Sequence, residues 1–167
     1  MRNHLALLLA LLAGPAWAAI PAEQDDCLGC HGADPSQTLD LPSGEKVALF
    51  VDQGSFAKSV HGEILRCSDC HADKTGYPHD SKPFKNRRDL TLAYYEQCKS
   101  CHFANYTKTL DGVHYAVMSK GNRNAALCVD CHGEHKVAAV DSERAPTAKK
   151  NIPDTCSTCH ARPDIMK

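Results

Sequence analysis

All ten cysteines of this chain fall into five copies of the pattern Cys-x-x-Cys-His. Each copy places two thiols three positions apart and a histidine directly after the second thiol. The copies are Cys27-Leu28-Gly29-Cys30-His31, Cys67-Ser68-Asp69-Cys70-His71, Cys98-Lys99-Ser100-Cys101-His102, Cys128-Val129-Asp130-Cys131-His132 and Cys156-Ser157-Thr158-Cys159-His160. Any fold of this chain must accommodate five similar chemical groupings, which begin 40, 31, 30 and 28 residues apart.

This pattern is typical of covalent c-type haem attachment. Two thiols form thioether bonds with the vinyl groups of one haem, and the adjoining histidine binds the iron. We therefore expect five covalently attached haem c groups. The cofactor-binding cysteines are Cys27, Cys30, Cys67, Cys70, Cys98, Cys101, Cys128, Cys131, Cys156 and Cys159, and the motif iron ligands are His31, His71, His102, His132 and His160.

Other cysteine chemistries fit the pattern less well. Tetrahedral zinc would use Cys-x-x-Cys pairs two at a time, and five is an odd number of pairs. Neither zinc nor a disulfide framework requires a histidine after every second cysteine. An iron–sulfur cluster would need a different cysteine spacing.

The amino terminus predicts export. Arg2 precedes an apolar run from Leu5 to Ala13, and the segment Ala16-Trp17-Ala18 resembles a small-residue cleavage site. We expect a signal peptide over residues 1–18 and a mature chain from Ala19, without a transmembrane segment. The apolar run is shorter than the ~18 residues expected of a membrane span. The expected location is the periplasm, or the cell exterior.

Residues 19–167 are expected to form one pentahaem cytochrome c domain. Only 6% of residues are Phe, Trp or Tyr, so the interior must consist mainly of haem. Folding is then expected to depend on haem attachment, as in small metal-dependent domains. The predicted fold is mostly irregular with short α-helices, packed around haem, and with little or no β structure.

A short list of segments has the patterning of regular structure. Asp89 to Ala104 is predicted as a helix with Asp89 as its cap, and Asp111 to Lys120 as a helix closed by Gly121. Ser55 to His61 is a weaker helix candidate. Lys46 to Asp52 is the one segment with the composition of a strand.

Charge gives no support for nucleic-acid binding. Removal of Arg2 with the signal peptide leaves 18 basic residues against 20 acidic ones, and haem propionates would add negative charge. Basic residues are candidates to cover propionates or to dock an acidic redox partner. They are Lys82, Lys85, Arg87, Arg88, Lys149 and Lys150.

Histidines outside the motifs are candidates for the second axial position of each iron. His4 would leave with the signal peptide, and four remain: His61, His79, His114 and His135. Four histidines are one short of bis-histidine ligation at five haems. The sixth ligand of the fifth haem is left open between Met118, Met166, the new amino terminus, a partner protein and no ligand.

Spacing limits how these histidines are paired without assigning them. His135 follows His132 by three positions and cannot easily reach the opposite face of the same haem, so we expect it to serve a neighbour. His61 and His79 flank the second motif, and at least one of them should serve another haem. The sequence does not say which haem each histidine serves.

The chain resembles the multihaem c-type cytochromes of the doubled Cys-x-x-Cys-His or cytochrome c3-like kind. The resemblance rests on the Ser59-Val60-His61-Gly62 segment, on Pro78-His79, and on Cys131-His132-Gly133-Glu134-His135. It covers nearly all of the predicted mature chain. It implies that the non-motif histidines are distal iron ligands and that the protein transfers electrons among periplasmic or outer-membrane partners.

Three functions are compatible with these features. The favoured one is an electron carrier, not an enzyme, that passes electrons between a quinol-linked donor or cytochrome and a terminal reductase or outer-membrane conduit. An alternative is a reductase of a small nitrogen or sulfur oxyanion at one haem that lacks a sixth ligand. A further alternative is a subunit of an extracellular cytochrome filament.

Overall fold

The computed structural model describes residues 22–74, 76–79 and 83–166. The predicted signal peptide, with Arg2 and His4, the cleavage site before Ala19, and Lys82 lie outside the described residues. Within the described ranges the chain is mostly helical or irregular, with one small sheet. This confirms the prediction of short helices and little β structure.

Short helices account for most of the regular structure. They are α1 (Ala22–His31), α2 (Gln53–Ala57), α3 (Cys67–Cys70), α4 (Arg87–Tyr94), α5 (Cys98–Cys101), α6 (Phe103–Thr109), α7 (Val113–Ser119), α8 (Cys128–His132) and α9 (Ile152–His160), with a 3-10 turn over Tyr95–Gln97 between α4 and α5. None of the helices in the described ranges has the length and apolarity needed to span a bilayer.

A two-stranded antiparallel sheet follows the first motif. Strand β1 (Thr38–Asp40) pairs with β2 (Lys46–Ala48), and Asp40 lies opposite Lys46. The Lys46 ammonium donates to the Asp40 carboxylate at 2.7 Å, a cross-strand ion pair. The expected strand at Lys46 to Asp52 is present over its first three residues, whereas β1 has no strong strand signal in the sequence.

The predicted helix over Asp89 to Ala104 is divided into several pieces. Its start also differs from the prediction, because Asn86 and not Asp89 is the cap: the Asn86 side chain accepts from the Asp89 N–H at 2.8 Å. Asp89 instead occupies the first turn, where its carboxylate accepts from the backbone N–H of Lys85 at 3.2 Å. A carboxylate in this position favours the positive end of the helix dipole.

The other two helix predictions are confirmed with shorter bounds. Helix α7 starts after Gly112, and Gly121 follows it with a φ of +92°. This left-handed conformation suits glycine and is common after helix ends. Helix α2 begins at Gln53, two residues before the segment predicted over Ser55 to His61, and ends within that segment at Ala57. The Asp52 carboxylate caps it by accepting from the Ser55 N–H at 2.7 Å.

Little of the described polypeptide is buried. The buried apolar side chains within the described ranges are Leu41, Val47, Ala125, Leu127 and Ala145. Ten larger apolar residues are exposed instead, and several of them flank histidines. They include Val60 and Ile64 near His61, Tyr77 near His79, Phe103 after His102, and Val113 and Val117 around His114. The polypeptide by itself therefore leaves apolar surface uncovered beside these imidazoles.

Candidate functional site

Each Cys-x-x-Cys-His motif lies on a helical turn. Three motifs form or end the short helices α3, α5 and α8, and the other two occupy the last turns of α1 and α9. Residues three apart on a helix share one face, so the two thiols of each motif project from the same side. In the second and third motifs the histidine N–H donates to the carbonyl of the first cysteine at 2.9 Å.

An aspartate within the motif fixes the start of two of these turns. The Asp69 carboxylate accepts from the Arg66 N–H at 2.7 Å, and the Asp130 carboxylate accepts from the Leu127 N–H at 2.7 Å. Both aspartates stand directly before the second cysteine of their motif. They satisfy backbone donors that a helix start otherwise leaves without partners.

The histidines lie in pairs. Eight of the nine histidines in the described residues form four pairs, and every pair joins one motif histidine to one non-motif histidine. The ring centroids are 5.9 Å apart for His31 and His79, 6.0 Å for His61 and His102, 6.1 Å for His71 and His135, and 6.2 Å for His114 and His160.

These distances fit a metal ion held between two imidazoles. A ring nitrogen binds a first-row metal at about 2 Å, and the ring centre lies roughly 1 Å behind that nitrogen, so two axial imidazoles place their centroids about 6 Å apart. All four pairs are within 0.3 Å of one another in this distance. The four pairs, at separate places in the described chain, therefore share one spacing that would suit a ligand held between the two rings.

The pairing crosses between motifs. His135 lies beside His71 and not beside His132, which precedes it by three residues. His61 and His79, which flank the second motif in sequence, lie beside the histidines of the third and first motifs. Each non-motif histidine thereby connects a distant part of the chain to a motif.

His132 is the one described histidine outside a pair. It ends α8 and is exposed, and Gly133 follows it with a φ of +81°. The Arg88 guanidinium connects α4 to this motif by donating to Asp130 at 2.9 Å and to the backbone carbonyls of Arg123 and Ala125. The fourth motif is thus held firmly although its histidine lacks a histidine partner.

The Ser59-Val60-His61-Gly62 segment has a specific structural basis. The Ser59 hydroxyl is buried and accepts from the backbone N–H groups of His61 at 3.3 Å and Gly62 at 3.1 Å. A Cβ at Gly62 would lie 2.1 Å from the Phe56 carbonyl oxygen. The serine and the glycine therefore permit the close turn that presents His61.

The same segment connects two histidine pairs. The Val60 N–H donates to the Val137 carbonyl at 2.9 Å. Val60 adjoins His61, and Val137 lies two residues after His135. This backbone hydrogen bond therefore joins the segment of His61, which pairs with the third motif, to the segment of His135, which pairs with the second.

His31 is oriented by a backbone carbonyl. Its Nδ1 lies 2.9 Å from the Leu49 carbonyl oxygen, directly after β2. A carbonyl only accepts, so Nδ1 is the donor of this hydrogen bond, which selects the neutral tautomer with its lone pair on Nε2 over the other neutral tautomer. The sheet thereby fixes the ring in the tautomer that binds metal through Nε2.

Burial keeps several of these imidazoles neutral. It lowers the pKa of His61, His71 and His135, and the partner ring lowers it further for His61 and His71. Neutral imidazole is the form that ligates metals. Tyr94 packs edge-on against His71 with ring centroids 5.0 Å apart and donates its hydroxyl to Asp73 at 3.0 Å. Burial and the Asp73 carboxylate raise the pKa of Tyr94 to about 12, so this tyrosine remains protonated at neutral pH.

The first three motifs are neighbours in chain order. Helix α1 contacts α3, which brings the first motif against the second. Burial raises the pKa of the Cys70 thiol, and Asp69 and the third-motif thiol of Cys101 raise it further. The second motif therefore lies against the third.

The remaining motifs continue this order. The Cys128 side chain raises the pKa of Cys98, and Cys98 in turn lowers the pKa of Cys128, because the two thiols are adjacent. Burial and Asp130 raise the pKa of Cys131, with smaller contributions from the fifth-motif thiols Cys156 and Cys159. Each motif thus lies near the motif that follows it in the sequence, and we refer to this succession as the row of motifs.

The cysteines and methionines complete the inventory of donors. All ten cysteines are free thiols in the described polypeptide, and no group of three or more His, Cys, Asp or Glu side chains within it converges on one point. Met118 is half-buried one turn after His114 on α7, and Met166 is exposed near the end of the described chain.

Sequence reasoning identified the histidines but missed the groups that support them. Ser59, Leu49, Asp73 and Arg88 contact a ligand segment or a motif through the hydrogen bonds described above. Arg88 was predicted to cover a propionate or to dock an acidic redox partner, and Leu49 acts through its backbone. Only Ser59 belonged to a recognisable sequence pattern, the Ser-Val-His-Gly segment, from which its role could have been predicted.

No protein family, curated protein or solved structure shows significant similarity to this chain.

Proposed function

We propose that this protein is a pentahaem c-type cytochrome that transfers electrons. Each motif would hold one haem through its two cysteines and its histidine. Four of the haems would take His79, His135, His61 and His114 as second axial ligands, at the first, second, third and fifth motifs respectively. Bound haem supplies one-electron redox chemistry, with a potential set by its axial ligands and surroundings.

The observation that carries this proposal is the pairing of motif with non-motif histidines. The motif alone does not require a second imidazole at about 6 Å, yet four motifs have one. The exposed apolar residues beside the same imidazoles also fit, because a macrocycle would cover them. Bis-histidine ligation occupies both axial positions and favours electron transfer over chemistry at the iron.

The row of motifs supports a path for electrons along the chain. The first motif would lie at one end and the fifth at the other, with the second, third and fourth between them. The first motif helix contacts the second, and the Cys98 thiol of the third motif is adjacent to Cys128 of the fourth. The other two neighbouring pairs of motifs are close enough for their thiols to influence each other electrostatically. Electrons would therefore enter near one terminus of the domain and leave near the other.

The proposed setting is the periplasm or the cell exterior. Export would follow from the signal peptide expected over residues 1–18, and haem attachment would follow export. A quinol-linked donor or cytochrome would reduce the protein, and a terminal reductase or outer-membrane cytochrome would oxidise it. Three of the candidate docking cations, Arg87, Arg88 and Lys150, are paired with Glu134, Asp130 and Glu143 respectively, so docking would use the other basic residues.

Mass spectrometry and electron paramagnetic resonance of the exported protein test the proposal. The mature chain should carry five haems, and the oxidised protein should give low-spin signals from at least four of them. Replacement of Cys98 and Cys101 by alanine should remove one haem, while Lys149→Ala should retain all five. A chain that matures with fewer haems, or that binds zinc in their place, would refute the proposed function.

A further inference from the structure

We propose that the iron at the fourth motif binds a small exogenous ligand opposite His132. This inference rests on the proposed function, since it assumes that each motif holds a haem. It goes beyond that function because it assigns a ligand-binding site to one particular position in the row. The remaining haems would act only as electron carriers.

The non-motif imidazoles are distributed unequally among the five motifs. The four non-motif histidines in the described residues are all committed to the first, second, third and fifth motifs, at centroid distances of 5.9 to 6.2 Å. One imidazole cannot ligate two irons by the same nitrogen. The second axial position at His132 is therefore not occupied by a histidine of the described chain.

The fourth motif is well supported by its own contacts. The Asp130 carboxylate caps α8 and also accepts from Arg88, and Ala125 and Leu127 just before the motif are buried. A well-supported motif histidine with no opposing imidazole leaves the second axial position of that iron to a ligand other than histidine, as in haem proteins that bind iron through one proximal histidine. Fraying of helix α8 therefore does not explain why His132, unlike the other motif histidines, has no imidazole opposite it in the described residues.

Charge around the motif favours a neutral ligand over an anion. Arg88 is paired with Asp130 at 2.9 Å, and Arg87 is paired with Glu134 at 3.6 Å. These two arginines are thereby neutralised by carboxylates within the motif or just after it. Ligands of the carbon monoxide or nitric oxide class, which bind reduced haem iron without carrying charge, fit this balance.

The position of the site within the row adds a consequence. The fourth motif lies between the third and the fifth, with Cys128 adjacent to Cys98, and Cys131 near Cys156 and Cys159. A ligand at this position would therefore change the rate of electron transfer between the third and fifth motifs. The same position allows electrons to reach the bound ligand from both sides.

Nuclear magnetic resonance of the fully reduced, haem-loaded protein tests the inference without any substitution. Bis-histidine ferrous haem is diamagnetic, whereas five-coordinate ferrous haem is paramagnetic and broadens nearby amide signals. We expect broadening centred on the amides of Val129, Asp130 and Gly133. Carbon monoxide should bind once per chain and restore these signals, while the amides of Ser157 and Thr158 in the fifth motif should recover less or not change.

The outcomes separate this inference from the proposed function. A protein with five haems but sharp amide signals throughout would overturn the inference alone, and would show that a methionine, an amine or a partner completes the fourth iron. Broadening centred on another motif would overturn the assignment to His132. Fewer than five haems would refute the proposed function first. Carbon monoxide bound in more than one equivalent would contradict the four histidine pairs.

A pair of variants adds an independent readout. Replacement of both Cys128 and Cys131 by alanine should leave four haems and abolish carbon monoxide binding. The matched replacement of Cys27 and Cys30 should also leave four haems, yet should retain one carbon monoxide per chain. The reverse pattern would place the ligand site elsewhere and overturn the proposal.

Discussion

The ring centroids of His135 and His71 lie 6.1 Å apart. His71 belongs to the second motif, whereas His132, which precedes His135 by three residues, belongs to the fourth. The contact brings the loop after α8 onto the second motif. Burial, together with the neighbouring imidazole, lowers the pKa of His71. The pairing thus links segments that are far apart along the chain, and for His71 it favours the neutral imidazole that binds metals.

Loss of His135 should convert one low-spin haem into a ligand-binding one. In His135→Ala the second iron loses its opposing imidazole, so carbon monoxide binding should rise from one to two equivalents per chain. Optical titration of the reduced protein measures this number. Lys136→Ala is the matched control and should remain at one equivalent. An unchanged count in His135→Ala would show that His135 is not an iron ligand.

The angle between paired imidazoles should separate the haems in electron paramagnetic resonance. His31 and His79 are 11° from parallel, whereas His61 and His102 are 57° apart. Parallel rings interact with the same iron orbital and give a rhombic spectrum, while crossed rings give a more anisotropic signal at lower field. His79→Ala should remove a rhombic signal, and His61→Ala an anisotropic one. Loss of the same signal in both variants would contradict the observed ring orientations.

Gly62→Ala should disturb the third haem. The added Cβ would lie 2.1 Å from the Phe56 carbonyl oxygen, so the turn that carries His61 must move. Overpacking of this kind costs about 1–3 kcal/mol. We expect a lower thermal midpoint and a new high-spin signal. Gly54→Ala in helix α2 is the control, because its Cβ would meet only the Asp52 side chain at 3.9 Å, and it should leave both quantities unchanged or slightly raise stability.

Arg88→Met should destabilise the protein. The guanidinium is largely buried and donates to Asp130 and to two backbone carbonyls, and hydrogen bonds to charged groups contribute about 1.5–3 kcal/mol. Denaturant unfolding monitored by circular dichroism measures the loss. Arg162→Met removes an exposed ion pair with Asp164, which solvent screens, and should change stability much less than Arg88→Met. Equal effects of the two substitutions would show that Arg88 does not anchor the fourth motif.

On the proposed function, the chain should not fold without haem. Five buried apolar side chains in the described residues provide too little apolar burial to offset the conformational entropy of a chain of this length. Residues 19–167 produced in the cytoplasm without haem attachment should give poorly dispersed amide signals and a non-cooperative thermal transition. A well-dispersed spectrum of this haem-free chain would contradict the expectation.

Local features were accessible from the sequence to different degrees. The end of α7 was predictable, because Gly121 adopts the left-handed conformation that glycine favours after a helix. The long helix predicted over Asp89 to Ala104 was wrong in its cap and its continuity. The Asn86 side chain accepts from the Asp89 N–H and so caps the helix in place of Asp89. The third motif forms its own short turn between the 3-10 turn and α6.

The sequence by itself determined the chemical groups: five motifs with two thiols and a histidine each, and four further histidines against five expected irons. These follow from covalent chemistry within a few residues of chain. Only the tertiary structure decided which motif each non-motif histidine faces, and that His132 faces no other histidine of the described residues, because these contacts join segments separated by whole motifs. Their formation depends on how Ser59, Leu49 and Arg88 fix the intervening loops, and no local spacing rule contains that information.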